Sequence, residues 1–144
     1  MMFEHKDGNP VLDLTDDQSW HLVDNTRHGR LVVSVAGEPD IFPVNYVTAA
    51  RKIYLRTAPG NKLAQLTIND AVLFEADGVL SDEAWSVVVR GKARVLNTSA
   101  DLAPVEELGL QSWVPTLKDF YVEIVPASVS GRHFQLGQQP EREI

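Results

Sequence analysis

Residues 85–95 constrain the fold more than any other stretch. Trp85, Val87, Val89, Gly91, Ala93 and Val95 fall on one side, and Ser86, Arg90, Lys92 and Arg94 on the other. A period of two marks a strand with one face buried. Similar β-branched, apolar runs occupy residues 31–36, 41–48, 52–57, 71–77, 120–125 and 127–134. Short turns at 37–40 and 49–51 make the first of these runs consecutive hairpins. About seven strands, with two or three short helices, favour a closed or nearly closed barrel over an open sheet. Gly91 in mid-run predicts a bend or a close backbone approach. Pro43 predicts an edge position or a bulge, because proline cannot donate to a ladder. Pro126 is read as splitting the last two strands.

The helices announce themselves by their caps. Thr15 followed by Gln18 is a capping-box pattern, with Trp20, Leu22 and Val23 as a modest apolar face. Leu63, Leu66 and Thr67 share a helix face. Asn97-Thr98-Ser99 can cap a further helix, which Pro104 makes short or late to start and Gly109 ends.

A chain of 144 residues fits one domain with a real core. Residues 1–13 are read as a loose arm, 14–137 as the barrel domain and 138–144 as a polar tail. The net charge of −7 and the pI near 5.0 argue against nucleic acid as a partner. The chain has no cysteine, which excludes disulfides, thiol catalysis and thiolate metal sites. No apolar run has membrane-spanning length, and the first residues lack a signal-peptide core. No membrane partner and a cytoplasmic location are therefore expected. His5, His21, His28 and His133 are scattered without metal-ligand spacing, so no metal site is expected.

One corner concentrates candidate binding groups. Arg56 and Thr57 end a strand, Gly60 lets the chain turn, and Lys62 falls in the first turn of the helix that follows. A cation, a hydroxyl and outward-pointing amides suit a phosphate group. The same residues also suit a plain strand–turn–helix junction with solvated charges, and the glycine spacing is not that of a P-loop or a dinucleotide fingerprint.

The order of these pieces adds a second line of argument. Gly29-Arg30-Leu31 opens the first strand and Pro43-Val44-Asn45-Tyr46 lies on the second. Ile53-Tyr54-Leu55-Arg56-Thr57 is followed by Gly60-Asn61-Lys62-Leu63. The run from Trp85 through Ala93 and the Gly131-Arg132-His133-Phe134 segment complete the set. Over residues 14–137 the chain resembles the pyridoxamine 5′-phosphate oxidase-like, FMN-binding split β-barrel family, in its flavin-nucleotide-binding or nitroimidazole-resistance-like branch. The resemblance implies a homodimer with FMN at the subunit interface. It implies that Arg56, Thr57 and Lys62 hold the phosphate and that the backbone of Pro43, Val44, Asn45 and Tyr46 lies against the flavin ring. It further implies that Trp85, Ser86 and Val87 line the site and that Trp113 covers the ring from the other subunit.

Members with the named oxidase activity carry a C-terminal tryptophan and basic residues that hold pyridoxal phosphate. No tryptophan follows Phe134 here. Two classes of function stand: an FMN-dependent oxidoreductase acting on a small molecule, and a flavin-binding protein without turnover. Deazaflavin F420 is the alternative cofactor, and its acidic tail would need the Arg90, Lys92 and Arg94 stripe as a basic groove. No catalytic side chain is evident, which suits chemistry carried by the cofactor.

Overall fold

The computed structural model describes residues 1–110 and 120–141. The strands are β1 (Val11–Leu14), β2 (His28–Val35), β3 (Glu38–Ala49), β4 (Lys52–Thr57), β5 (Ala71–Val79), β6 (Glu83–Leu96) and β7 (Phe120–Gln135). The helices are α1 (Asp16–Asp24), α2 (Asn61–Ile68) and α3 (Ser99–Glu106). All strand pairs are antiparallel, in the order β1-β7-β4-β3-β2-β5-β6, and β6 pairs back onto β7. That last pairing closes a six-stranded barrel. The protein is thus mainly β, a split β-barrel with three short helices, as the strand pattern predicts.

The core fills the barrel from alternate residues of each strand. Leu31, Val33, Ile53, Leu55, Phe74, Ala76, Val87, Val89, Val122 and Ile124 are essentially inaccessible. Trp20, Leu22 and Val23 of α1 add to the same cluster. Thr15 caps α1 with the full reciprocal box: its hydroxyl accepts from the Gln18 amide, and the Gln18 side chain accepts from the Thr15 amide. A second, smaller cluster of Val47, Tyr54, Leu96, Val105 and Leu110 lies by α3, which Thr98 caps from within the expected 97–99 stretch.

The hairpin turns are tighter than the sequence suggests. Val35 pairs with Glu38 and Ala49 with Lys52, so each turn has two central residues. Ala36 and Gly37 both have positive φ, as do Ala50 and Arg51. Two-residue turns of this hand match the right-handed twist of the strands they join. Glu38, Pro39 and Asp40 therefore belong to β3 rather than to the turn. Beside Pro43, β3 pairs with β2, while its register with β4 begins only at Tyr46. Proline occupies the edge portion of the strand, as its missing N–H requires.

Two expectations are corrected at the ends. Residues 11–14 are not loose: they form β1, paired from Val11 with Phe134 to Leu14 with Gly131. Pro126 does not split a strand, because β7 runs through it. The chain absorbs the proline as an irregularity: Arg90 faces Ser128 and Gly91 faces Pro126, leaving Ala127 extra. One edge of β7 follows β6 throughout. The other edge pairs with β4 up to Ile124 and with β1 from Gly131.

Gly91 sits where that shift brings two backbones together. A Cβ there would lie 2.3 Å from the Val125 carbonyl oxygen, and backbone cannot move aside cheaply. Gly91→Ala is expected to lower stability by about 1–3 kcal/mol, the usual cost of overpacking. Urea unfolding checks this, and an unchanged midpoint would mean that the shift is not tight.

Candidate functional site

The corner between β4 and α2 is the strand end, turn and helix start that the sequence suggests. β4 delivers Arg56 and Thr57 to its end, and Gly60 starts α2 in extended backbone with no side-chain cap. The first-turn amides of α2 therefore point outward. The Lys62 ammonium lies 5.6 Å from the centre of the Phe42 ring, which ties the start of α2 to β3. The Arg56 guanidinium lies 5.5 Å from the centre of the Tyr121 ring on β7. Such cation–π contacts help fix where the two half-buried side chains lie. Thr57 is buried, and its hydroxyl donates to the Ala58 carbonyl at 3.2 Å. Two half-buried cations and a set of amides thus flank the corner, while the threonine hydroxyl is turned inward.

Residues 43–46 run beside this corner. Asn45 and Arg56 are the next residues along from the Tyr46–Leu55 pair. Pro43 and Asn45 face outward, whereas Val44 and Tyr46 are buried. Asn45, Tyr46 and Val47 line a cleft of about 280 Å³ with Arg27 and with Leu108, Gly109 and Leu110 beyond α3. Arg27 and the residues after α3 were not singled out from the sequence. Only the fold brings the end of α1 and the end of α3 to the same strand.

The Tyr46 ring belongs to the core. It packs edge-on against Phe74 with ring centres 4.7 Å apart, and its hydroxyl donates to the Val23 carbonyl at 2.7 Å. Burial pushes its hydroxyl well above the usual tyrosine range. Tyr46 therefore positions the strand through its side chain and meets the cleft with its backbone. Tyr46→Phe removes this bond and should cost about 0.5–1.5 kcal/mol, because the Val23 carbonyl still accepts from the Thr26 amide at 3.2 Å. Urea unfolding measures this, and an unchanged stability would show that the hydroxyl does not anchor β3 to α1.

Trp85, Ser86 and Val87 lie elsewhere. On β7, Arg56 faces Tyr121, whereas Ser86 faces Arg132. Eleven residues separate these positions, about 36 Å of strand. Trp85 and Val87 point into the core, with the indole stacked on Gly78. Ser86 faces outward and lines a groove of about 410 Å³ with Asp13, Val88 and Arg132. One chain does not bring this segment to the corner. Trp113 lies outside the described residues.

The basic stripe is broken. Arg94 bonds Glu123 at 3.1 Å and Asp101 at 3.2 Å, which raises its already high pKa. Arg90 and Lys92 instead flank an apolar groove that includes Val32, Leu73 and Pro39. Arg30, on β2, is held by Glu75 at 2.5 Å and Asp77 at 3.1 Å. Among the described residues no group of three or more histidines, aspartates or glutamates could hold a metal ion. No described helix is long and apolar enough to cross a membrane.

Comparison with known proteins now adds to this geometry. Residues 15–133 match the family model of pyridoxamine 5′-phosphate oxidase. The chain belongs to that family. A crystal structure from Corynebacterium glutamicum, described provisionally as a pyridoxamine 5′-phosphate oxidase, is 44% identical. It superposes with a TM-score of 0.84 over 91% of this chain and 98% of its own. The FAD-binding protein of Mycobacterium smegmatis is 38% identical, with a TM-score of 0.77 over 88% of this chain and all of its own. An uncharacterised protein of Mycobacterium tuberculosis is 31% identical over 128 residues, which is 84% of each chain.

Proposed function

We propose that this family member binds a flavin nucleotide. Arg56 and Lys62 hold its phosphate at the β4–α2 corner, and its ring lies along residues 43–46. The observation that carries this reading is an uncapped helix start with Lys62 in its first turn and Arg56 at the end of the strand before it, one strand away from the Asn45 cleft. These groups fit a phosphate: the amides and the helix dipole favour an anion, Arg supplies a donor fork and Lys a point charge. Thr57 contributes through its backbone, since its hydroxyl already serves Ala58. The M. smegmatis relative is an FAD-binding protein, which supports a flavin here. FMN and FAD share the phosphate and ring that the corner and cleft would hold.

The reading also accounts for the distance between the two candidate segments. If residues 56–62 and 85–87 touch the same flavin, they come from two subunits. The proposal is therefore a homodimer with the cofactor at the interface, Ser86 and the backbone beside it contributed by one chain and the corner by the other. Trp113 would cover the ring from the partner. When bound, the flavin supplies hydride or electron transfer, and the activity proposed is oxidoreduction of a small molecule. The chain's own residues bind, orient and shield. Deazaflavin F420 is the less supported cofactor, because Arg94 is neutralised by Glu123 and Asp101 and the stripe offers no continuous basic groove.

Titration of the purified protein with FMN, FAD and F420, followed by flavin fluorescence quenching and visible absorption, tests this reading. Saturation by FMN or FAD near one equivalent per chain is expected. Lys62→Ala should weaken that binding by about 1.5–3 kcal/mol, the range for hydrogen bonds to charged groups. Unchanged flavin affinity in that variant would place the phosphate elsewhere. Saturation by F420 alone would overturn the flavin assignment.

A further inference from the structure

The N-terminal residues dock on the barrel at the end remote from the corner. There, three titratable side chains form one hydrogen-bonded chain. The His5 Nδ1 lies 2.7 Å from the Asn9 carbonyl oxygen, and its Nε2 lies 2.6 Å from Nδ1 of His133. The His133 Nε2 lies 2.8 Å from Oε1 of Glu83. His133 is completely buried on β7, and Glu83, at the start of β6, is nearly so. Phe3 closes the site edge-on, its ring centre 5.3 Å from that of His133.

The protons in this chain can be counted. A carbonyl oxygen only accepts, so His5 Nδ1 carries a proton. The Glu83 Oε1 also accepts the Met2 amide at 2.9 Å. That bond, with the one from His133, holds the Glu83 carboxyl below the usual carboxylate range. Glu83 is thus a carboxylate and His133 Nε2 carries a second proton. The contact between the two rings needs a third, whichever ring holds it. Three protons on four ring nitrogens is one more than two neutral imidazoles contain. The histidine pair shares a single positive charge, buried against Glu83.

We propose that the N-terminal arm is a proton-dependent latch: it docks by taking up one proton into the His5–His133–Glu83 chain and lets go when that proton leaves. The sign follows from linkage. Released at alkaline pH, the two imidazoles are neutral and bind one proton fewer than the docked pair, so docking is lost as pH rises on the alkaline side. The other charges near the site do not replace the shared proton. The Met1 ammonium is 4.0 Å from Glu83 Oε2, on the same arm that must dock. Arg132 faces the opposite way from His133 and pairs with Asp13 at 3.4 Å. Glu4, Lys6 and Asp7 are exposed. Leu12 and Trp85, the strand neighbours of His133, do not titrate. The latch does not depend on flavin binding.

Hydrogen exchange of the intact protein between pH 5.5 and 8.5, read as protection factors, tests the latch. Protection of the arm amides, Met2 first, should fall by about tenfold per pH unit above the transition, while amides of β2 to β5 keep theirs. His5→Gln is on the half-exposed arm and spares the core; its arm protection should be flat with pH. An arm whose protection does not change with pH in the wild type overturns the proposal, as does the same pH dependence surviving in His5→Gln. Nitrogen-15 NMR of the imidazoles at pH 5.5 gives a second reading. Three protonated nitrogens across His5 and His133 are expected, and two would overturn it.

Discussion

The long ladder between β6 and β7 is the constraint on which the structure depends. It runs from Glu83 opposite Gln135 to Leu96 opposite Tyr121, broken once by the Ala127 irregularity. Without it the sheet would have two raw edges. With it the sheet closes, and the apolar faces of six strands turn towards one another. Every other assignment of inside and outside follows, because a one-residue slip would exchange the two faces of a strand. Gly91 permits the close approach that this closure demands. The ladder also spans the molecule, carrying the β4–α2 corner at one end and the His133–Glu83 pair at the other.

Much of this was legible in the sequence, for definable reasons. The alternation from Trp85 onward, the Thr15 capping box and the Thr98 cap are local signals, and each survives in the fold. The resemblance to the oxidase family rested on the order of short segments, and the match over residues 15–133 bears it out. The corner was legible because the strand end, turn glycine and helix start are contiguous. What could not be read depends on distant partners. Val11 to Leu14 is a short, polar-flanked run that becomes a strand only because β7 offers it an edge. Pro126 looks like a terminator until its strand is seen to be held by β6 across the irregularity. Ala36 and Ala50 give no hint of positive φ; the twist of the hairpins imposes it.

The alternation puts Trp85 and Val87 on one face and Ser86 on the other, and the barrel keeps that division with the first two inward. His133, one scattered histidine among four, becomes the most deeply buried imidazole once β6 brings Glu83 beside it and the arm brings His5. That cluster could not come from spacing, since its residues lie 50 and 128 positions apart.

The outer edge of β7 has a further consequence. Between the end of its pairing with β4 and the start of its pairing with β1, residues 125–130 have no strand beside them among the described residues. An exposed stretch of unpaired backbone invites a strand from another molecule to add to the sheet. Here that opening contains Pro126, which has no N–H to offer, and Trp20 and Asp16 of α1 stand with Arg51 around it. This gap is thereby a poor template for a strand from another copy, which guards the chain against edge-to-edge aggregation at a place where its wall is incomplete.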